Sequence, residues 1–174
     1  MRQRARPRIT NFMFKQKIVS IERLLDDLVP IRNQGQKVIL TNGCFDVLHV
    51  GHVRYLQGAK SLGGFLVVAV NSDASVRLLK GQGRPILPAD HRAQLVAALE
   101  CVDRVVIFEE PDVTRLIEIL KPDIHAKGTD YTTDTVPERE VMLRVGGEVR
   151  IVGDPKDHST RDLIKQVRCK FNKE

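Results

Sequence analysis

The sequence has few cysteines and no long apolar run. Its three cysteines, Cys44, Cys101 and Cys169, form no C-x-x-C pair, so they indicate neither a disulfide framework nor a zinc site. No apolar run approaches the length that crosses a bilayer. The basic N-terminus is not followed by the apolar segment of a secretion signal. These absences argue against membrane proteins and disulfide-rich secreted proteins, and they favour a reducing, cytoplasmic location.

Excess charge is confined to one end of the chain. The formal net charge is +6. Four of those charges come from arginines in the first eight residues: Arg2, Arg4, Arg6 and Arg8. We expect residues 1–17 to be a flexible basic arm and residues 18–174 to be a single domain. The alternative is an arm that binds nucleic acid. Because no aromatic platform or known reading module accompanies it, we expect no nucleic-acid partner.

Short apolar runs alternate with amphipathic segments along the chain. The apolar runs predict five strands, at 37–41, 65–70, 104–108, 124–127 and 149–152. Helices are predicted before, between and after them, and no repeat or linker divides the chain. This alternation predicts an α/β fold with one doubly wound, Rossmann-like parallel sheet, helices on both faces and the strand order 3-2-1-4-5.

The stretch T-N-G-C-F-D-V-L-H-V-G-H, residues 41–52, joins the first predicted strand to a helix. Free N–H groups and the dipole of a helix N-terminus favour an anion at such a place. Gly43 would let a phosphate approach the backbone closely, and His49 and His52 would donate hydrogen bonds to its oxygens. A turn that merely contains two histidines is the alternative. The flanking strand and helix favour a nucleotide phosphate site.

The predicted strand order brings three distant polar segments together. Its winding reverses between the first and fourth strands, and ligands bind beyond the carboxyl ends of strands at such a point. The histidine turn should therefore meet residues 127–130 and residues 158–161. The loop K-G-Q-G-R-P at 80–85 carries two cations and two glycines. It is either an exposed basic loop or a lid whose Lys80 and Arg84 reach phosphates.

Residues 41–52 resemble the signature of the nucleotidylyltransferase superfamily, in its cytidylyltransferase-like branch. Within that branch the chain is similar to the heptose 1-phosphate adenylyltransferases over roughly residues 20–170. That activity occurs as a free enzyme or as the C-terminal half of a protein fused to a sugar kinase. L-K-G-Q-G-R-P at 79–85, the block P-D-x-x-x-K-G-x-D-Y at 122–131 and S-T-R at 159–161 resemble further motifs of these enzymes.

The resemblance implies transfer of an adenylyl group from ATP to heptose 1-phosphate, giving ADP-heptose and pyrophosphate. The attacking phosphate oxygen is already anionic, so the protein needs no nucleophile and has only to align the reactants and stabilise charge. Mg²⁺ is expected with the triphosphate, without a dedicated metal site. The alternative is a cytidylyltransferase that uses CTP and glycerol 3-phosphate or a similar alcohol phosphate. We expect a homo-oligomer, most simply a dimer, and no membrane partner.

The motifs and the resemblance together assign site residues. The expected catalytic residues are His49, His52, Lys80 and Arg161. The expected nucleotide-binding residues are Asn42, Gly43, Cys44, Phe45, His49, His52, Arg92, Lys127, Gly128, Asp130, Ser159 and Thr160. The expected acceptor-binding residues are Asp46, Asn71, Lys80 and Arg84. Stabilisation of the turn is the alternative role for Asp46, and surface charge is the alternative for Arg92. Tyr55 and Tyr131 are expected to pack, and His91 and His125 to be incidental.

Overall fold

The computed structural model describes residues 13–154 and 160–171, without the side chains of Met13 and Arg161. Within that part of the chain the strands are β1 (Val38–Gly43), β2 (Phe65–Asn71), β3 (Arg104–Phe108), β4 (Ile124–Gly128) and β5 (Glu148–Val152). They form one parallel sheet in the order β3-β2-β1-β4-β5. The predicted fold class and strand order are confirmed, and the strands begin and end within about two residues of their predicted bounds.

Helices lie on both faces of the sheet. In the described part of the chain they are α1 (Ile21–Asn33), α2 (Val50–Lys60), α3 (Asp73–Lys80), α4 (Ala89–Ala97), α5 (Thr114–Leu120), α6 (Arg139–Arg144) and α7 (Thr160–Phe171). Ser20 caps α1, since its hydroxyl accepts the N–H of Arg23. Ser72 caps α3 in the same way, through the N–H of Ser75. Of the helices described, none is both long and apolar enough to cross a bilayer.

The apolar side chains of β2 divide between two cores. Leu66, Val68 and Val70 enter one core, together with residues of α2 and α4. Val67 and Ala69 enter the other, together with residues of α1, α5 and α6. Because successive side chains of a strand point to opposite faces, a strand covered on both faces must be apolar throughout. The unbroken run in β2 is therefore the sequence signal of a sheet between two helical layers.

The strand β1 lies at the centre of the sheet, between β2 and β4. The chain moves outward from β1 through β2 to β3, and then returns to the other side of β1 to form β4 and β5. The loops that follow β1 and β4 therefore leave the same edge of the sheet from neighbouring strands. This edge is where doubly wound folds bind ligands.

The N-terminal boundary of the folded domain lies earlier than predicted. Residues Met13–Lys17 form a short 3-10 helix. Phe14 packs against the core shared with α2 and α4, Lys17 Nζ donates to the carbonyl of Leu99 (3.1 Å), and Ile18 forms a parallel bridge with Val105. The prediction of a flexible arm is therefore wrong for residues 13–17, because apolar side chains four residues apart join the core. Residues 1–12 lie outside the described part of the chain.

If the 3-10 helix is part of the fold, Phe14→Ala should destabilise the protein. We expect the free energy of unfolding to fall by about 1–3 kcal/mol, somewhat less than for a fully buried phenylalanine because the ring is only partly covered. Urea unfolding measures this change. Phe171→Ala is the matched control, because that ring is 77% exposed, and it should change the free energy by less than about 0.5 kcal/mol. If the two substitutions changed the free energy of unfolding equally, residues 13–17 would not contribute to the folded domain.

Candidate active site

The turn between β1 and α2 has an unusual backbone. Phe45 (φ 48°) and Val47 (φ 61°) occupy the left-handed region, which is costly for residues with a Cβ and most costly for a β-branched one. The ring of Phe45 folds back, so that a Cβ on Gly43 would lie 3.2 Å from it. A side chain at position 43 would therefore press on the buried Phe45 ring, whatever ligand approaches the turn. Such strain persists only where surrounding contacts impose it, and it is concentrated at functional sites.

The two histidines of the turn face each other. His49 is the N-cap residue of α2, and its backbone N–H donates to Nδ1 of His52 at 3.3 Å. The imidazole centroids lie 3.9 Å apart, and the ring of Phe45 lies 5.3 Å from that of His52. The helical spacing of three residues stacks the two rings over the first turn of α2. The sequence prediction that both imidazoles lie at this helix entrance is therefore confirmed.

The contact between the histidines determines which ring nitrogen of His52 carries the proton. A backbone N–H only donates, so Nδ1 of His52 must be an acceptor. Burial, with a smaller contribution from His49, lowers the pKa of His52 to about 4. The ring is therefore neutral near pH 7 and carries its proton on Nε2. His52 presents an uncharged N–H donor at the entrance of α2.

Asp46 binds the loop after α3 to the histidine turn. Its side chain is fully buried, and its oxygens accept the N–H groups of Ile86 and Leu87 at 3.0 Å and Nε of Arg84 at 2.5 Å. Burial raises the pKa of Asp46, but the N–H groups of Ile86, Leu87 and Arg84 outweigh it, and the net pKa is lowered. The acceptor-binding role predicted for Asp46 is wrong, because the protein already occupies its oxygens.

The same contact changes the interpretation of the basic loop. Arg84 is anchored through Nε to Asp46, and its side chain is 19% exposed. A loop attached at this point does not swing freely over the turn, so the prediction of a mobile lid is not favoured at Arg84. The acceptor contact predicted for Arg84 stays a prediction for its two Nη groups.

Arg92 is a structural brace of the turn. It is completely buried. Its Nε donates to the carbonyl of Leu87 (2.9 Å), Nη1 to the carbonyl of Cys44 (2.5 Å) and Nη2 to Asp73 (2.8 Å). A buried guanidinium is stable only when it is paired in this way. The nucleotide contact predicted for Arg92 is therefore wrong, and Arg92 together with Asp46 clamps residues 84–87 onto the histidine turn.

Asn71 is also occupied within the protein. It is 3% exposed, and its Nδ2 donates to the hydroxyl of Ser75, which in turn donates to the carbonyl of Glu110, both at 2.9 Å. These bonds attach the end of β2 to α3 and to the segment after β3. The acceptor-binding role predicted for Asn71 is therefore wrong.

Four polar residues form a cluster at the ends of β1 and β4. Oδ1 of Asn42 lies 3.1 Å from Nζ of Lys127 and 3.1 Å from Nε2 of His125, and Lys127 also contacts Oε1 of Glu138 at 2.9 Å. We call Asn42, His125, Lys127 and Glu138 the Asn42 cluster. The charge of Lys127 is paired with Glu138 rather than directed freely at a phosphate.

Two members of the Asn42 cluster were missed by sequence reasoning. His125 was expected to be incidental, but it is completely buried, and burial together with the charge of Lys127 lowers its pKa well below the usual histidine range. Glu138 is 6% exposed. The alternation of β4 could have placed His125 on the same face as Lys127, since the two residues are two apart in a strand. No local pattern marks Glu138.

The remaining predicted residues lie around the turn or outside the described part of the chain. Lys80 is exposed at the end of α3. Burial raises the pKa of the Cys44 thiol, and the nearby charge of Lys80 opposes that shift most. Thr160 donates its hydroxyl to the carbonyl of Asp46 at 2.8 Å, which brings the start of α7 to the turn. Ser159 and the side chain of Arg161 lie outside the described set.

Comparison with known proteins places this geometry in a family. The profile of the cytidylyltransferase-like family matches residues 40–170. The bifunctional protein HldE of Geobacter sulfurreducens is 44% identical over 158 residues, which are 91% of this chain and 32% of that protein. HldE of Pelobacter propionicus is 51% identical over 139 residues, which are 80% of this chain and 28% of that protein. The chain thus spans about a third of the length of these curated relatives.

A solved structure agrees with the sequence comparisons. The crystal structure of the lipopolysaccharide core biosynthesis protein from Thermoplasma volcanium superposes with a TM-score of 0.60 at 33% identity. The match covers 71% of this chain and 100% of that one. The fold of this chain is therefore shared with a protein of known structure.

The clamp at Asp46 predicts a pH-dependent stability. Asp46→Asn should lower the free energy of unfolding at pH 7 by about 1–3 kcal/mol, because one acceptor oxygen and the charge are lost. The folded protein holds the pKa of Asp46 below its unfolded value. The carboxylate therefore stabilises the fold above about pH 4, and this contribution is lost as the pH falls through the folded pKa. Urea unfolding at several pH values should show the variant and the wild type converging on acidification.

The control for this experiment is Asp90→Asn, since Asp90 has a side chain that is 65% exposed. It should differ from the wild type by less than about 0.5 kcal/mol at every pH. A difference between Asp46→Asn and the wild type that does not change with pH would show that the charge of Asp46 is not what holds the loop.

Proposed function

This chain belongs to the cytidylyltransferase-like family, and from that premise we propose that it is a sugar-phosphate adenylyltransferase. It transfers an adenylyl group from ATP to heptose 1-phosphate and releases ADP-heptose and pyrophosphate. The observation that carries the proposal is the histidine pair of the turn, because two stacked imidazoles at a helix N-terminus offer donors to phosphate oxygens.

The relatives support the heptose substrate. The chain is 44–51% identical to proteins named bifunctional protein HldE, of which it spans about a third. Heptose 1-phosphate adenylyltransferases, which the sequence motifs resemble, occur alone or as one half of a fusion with a sugar kinase. A match confined to one part of a bifunctional protein fits that arrangement. The similarity to a lipopolysaccharide core biosynthesis protein points the same way. These relatives favour ATP over the alternative of CTP with an alcohol phosphate.

The reaction requires the protein to position the two substrates and to stabilise the negative charge of the transition state. An oxygen of the sugar phosphate attacks the α-phosphorus of ATP, the bond from that phosphorus to the oxygen bridging the β-phosphate breaks, and pyrophosphate leaves with the bonding electrons. The attacking oxygen is already anionic, so no protein nucleophile is needed. Cys44 accordingly has no nucleophilic role, since burial raises the pKa of its thiol. Catalysis comes from donors aimed at the charge that grows on the α-phosphate.

Different residues around the turn contact different phosphates of ATP in this proposal. Nε2–H of His52 and the imidazole of His49 donate to the α-phosphate. Lys80 neutralises charge from the exposed end of α3. The N-terminus of α7, with Ser159, Thr160 and Arg161, holds the β- and γ-phosphates. These roles are proposed from the sequence motifs, and the contact of Thr160 with the carbonyl of Asp46, which brings the start of α7 to the turn, supports them.

The nucleoside triphosphate brings its own metal ion in this proposal. The carboxylate at the turn, Asp46, is fully buried and already accepts three N–H groups. The other groups there are mainly nitrogen donors, which suit phosphate oxygens rather than a hard cation. Mg²⁺ would therefore be carried by the phosphates and water. The proposal further includes a cytoplasmic homodimer, with Gly128 and Asp130 lining the nucleotide side.

A substrate panel tests this function. Purified protein is supplied with each of the four common nucleoside triphosphates, paired with heptose 1-phosphate, other sugar 1-phosphates or glycerol 3-phosphate. We expect pyrophosphate release to be fastest with ATP and heptose 1-phosphate. Preference for CTP and glycerol 3-phosphate would show instead that the protein is a cytidylyltransferase acting on an alcohol phosphate. No release with any pair would refute the transferase proposal.

Replacement of either histidine tests the roles within the turn. His49→Asn and His52→Asn should lower kcat by about 100-fold to 1,000-fold, because each removes a preorganised donor to the transition state. ATP affinity should change far less, since the charge in question appears mainly during the reaction. Asparagine is a favourable N-cap residue, so the start of α2 should survive at position 49. Pyrophosphate assays, ATP titration calorimetry and melting curves on the same samples give the three quantities.

The control is His91→Asn. The side chain of His91 is 61% exposed on α4, so this variant should keep full activity. The double substitution at positions 49 and 52 should be less than additive, because both rings serve one phosphate. Near-full activity in both single variants would show that His49 and His52 are not catalytic residues. Loss of folding in both would give the histidines a structural role instead.

A further inference from the structure

The Asn42 cluster fixes the orientation of one amide. Lysine has three donors and no acceptor, so the atom of Asn42 that faces Nζ of Lys127 at 3.1 Å is the carbonyl oxygen Oδ1. The same oxygen faces Nε2 of His125 at 3.1 Å. Because an amide oxygen only accepts, His125 must carry its proton on Nε2. The lysine thus identifies the oxygen of the amide, and that oxygen identifies the tautomer of His125, so that two donors hold the amide in one orientation.

The other end of the amide faces away from the cluster. With Oδ1 held by two donors, Nδ2 of Asn42 carries two N–H groups, and neither of them makes a hydrogen bond within residues 13–154 and 160–171. Asn42 is only half-buried and lies next to Gly43, at the carboxyl end of β1 where the histidine turn begins. These N–H groups are therefore open to an acceptor that the described residues do not supply.

Packing alone does not explain a histidine at position 125. The residue is completely buried in β4, and its Nδ1 has no hydrogen-bond partner within the described part of the chain. A buried polar atom without a partner costs roughly 1–3 kcal/mol. An apolar side chain of the same size would avoid that cost. The hydrogen bond that His125 makes is the one to Oδ1 of Asn42. A functional reason for a histidine at this position therefore lies in that bond.

We propose that His125 is a positioning residue that, together with Lys127, orients Asn42 so that Nδ2 donates to an oxygen of the bound nucleoside triphosphate. This inference rests on the proposed function, because it takes the ligand of the turn to be a nucleotide. His125 itself touches no ligand. It acts by keeping the amide from rotating to present its oxygen, which would repel a phosphate.

A double-mutant cycle separates positioning from packing. His125→Phe removes the donor and keeps a ring of similar size, and Asn42→Ala removes the amide. We expect His125→Phe to raise the Kd of ATP about tenfold, the loss typical of one hydrogen bond. In the Asn42→Ala background the same change should alter the Kd less than about twofold, because nothing is left to position. Calorimetric titration with ATP alone provides the readout.

Two further variants sharpen the cycle. His125→Gln keeps an N–H donor at similar reach, so the Kd of ATP should return to within about threefold of the wild type. His91→Phe, on the exposed side of α4, should leave the Kd unchanged. His125→Phe should also melt no lower than the wild type, since it removes a buried atom without a partner. A purely structural histidine would instead show lower melting temperatures in both backgrounds.

A measurement on the wild type keeps the test independent of folding in the variants. The side-chain amide signals of Asn42 in ¹H–¹⁵N spectra should shift when ATP is added. Unshifted signals, equal losses of affinity in both backgrounds of the cycle or failure of His125→Gln to rescue would each overturn the inference. Failure of the proposed function looks different, because ATP would still bind and the cycle would still close while no sugar phosphate supports pyrophosphate release.

Discussion

Two buried charged residues, Asp46 and Arg92, each hold the strained turn between β1 and α2 in place. Asp46 takes N–H groups from the loop after α3, and Arg92 donates to carbonyls of both the loop and the turn. Two residues of the turn have positive φ, one of them a valine, and such a backbone needs outside contacts to persist. Removal of Asp46 would leave Arg84 and two backbone N–H groups without their acceptor, and removal of Arg92 would leave Asp73 and two carbonyls without their donor.

Within this clamp the charges of Asp46 and Arg92 are taken up by contacts inside the protein. In the proposed function, the groups that would face the phosphates are largely uncharged donors: Nε2–H of His52, Nδ2 of Asn42 and the backbone N–H groups of α2. His52 stays neutral across the physiological range, because burial lowers its pKa to about 4. A site of this kind stabilises developing charge without changing its own protonation state. Lys80 adds positive charge from the exposed end of α3.

The fold and the place of the histidine turn at the carboxyl end of β1 were predictable from sequence, whereas the contacts of single polar residues were not. Apolar runs such as Phe65–Val70 identify the strands, because a sheet covered on both faces demands them. The strand order follows from the handedness of the crossover connections. The roles of Asp46, Asn71 and Arg92 were misjudged, since a charged or amide residue beside a motif has the same local pattern whether it binds a ligand or braces a loop. Burial decides between these roles, and burial is a tertiary property. His125 was dismissed for the same reason, because its partner Asn42 is distant in sequence and lies on a neighbouring strand.

The central claim is that the histidine turn binds the triphosphate through neutral imidazole donors. Long-range ¹H–¹⁵N spectra of the histidine side chains measure the tautomer of His52, its pKa and its response to ATP in one sample. The account predicts a neutral ring protonated on Nε2, a pKa of about 4 and a shift of the Nε2 signal when ATP is added. A ring that titrates near the ordinary value of about 6.5, or a signal that ATP leaves unmoved, would contradict it.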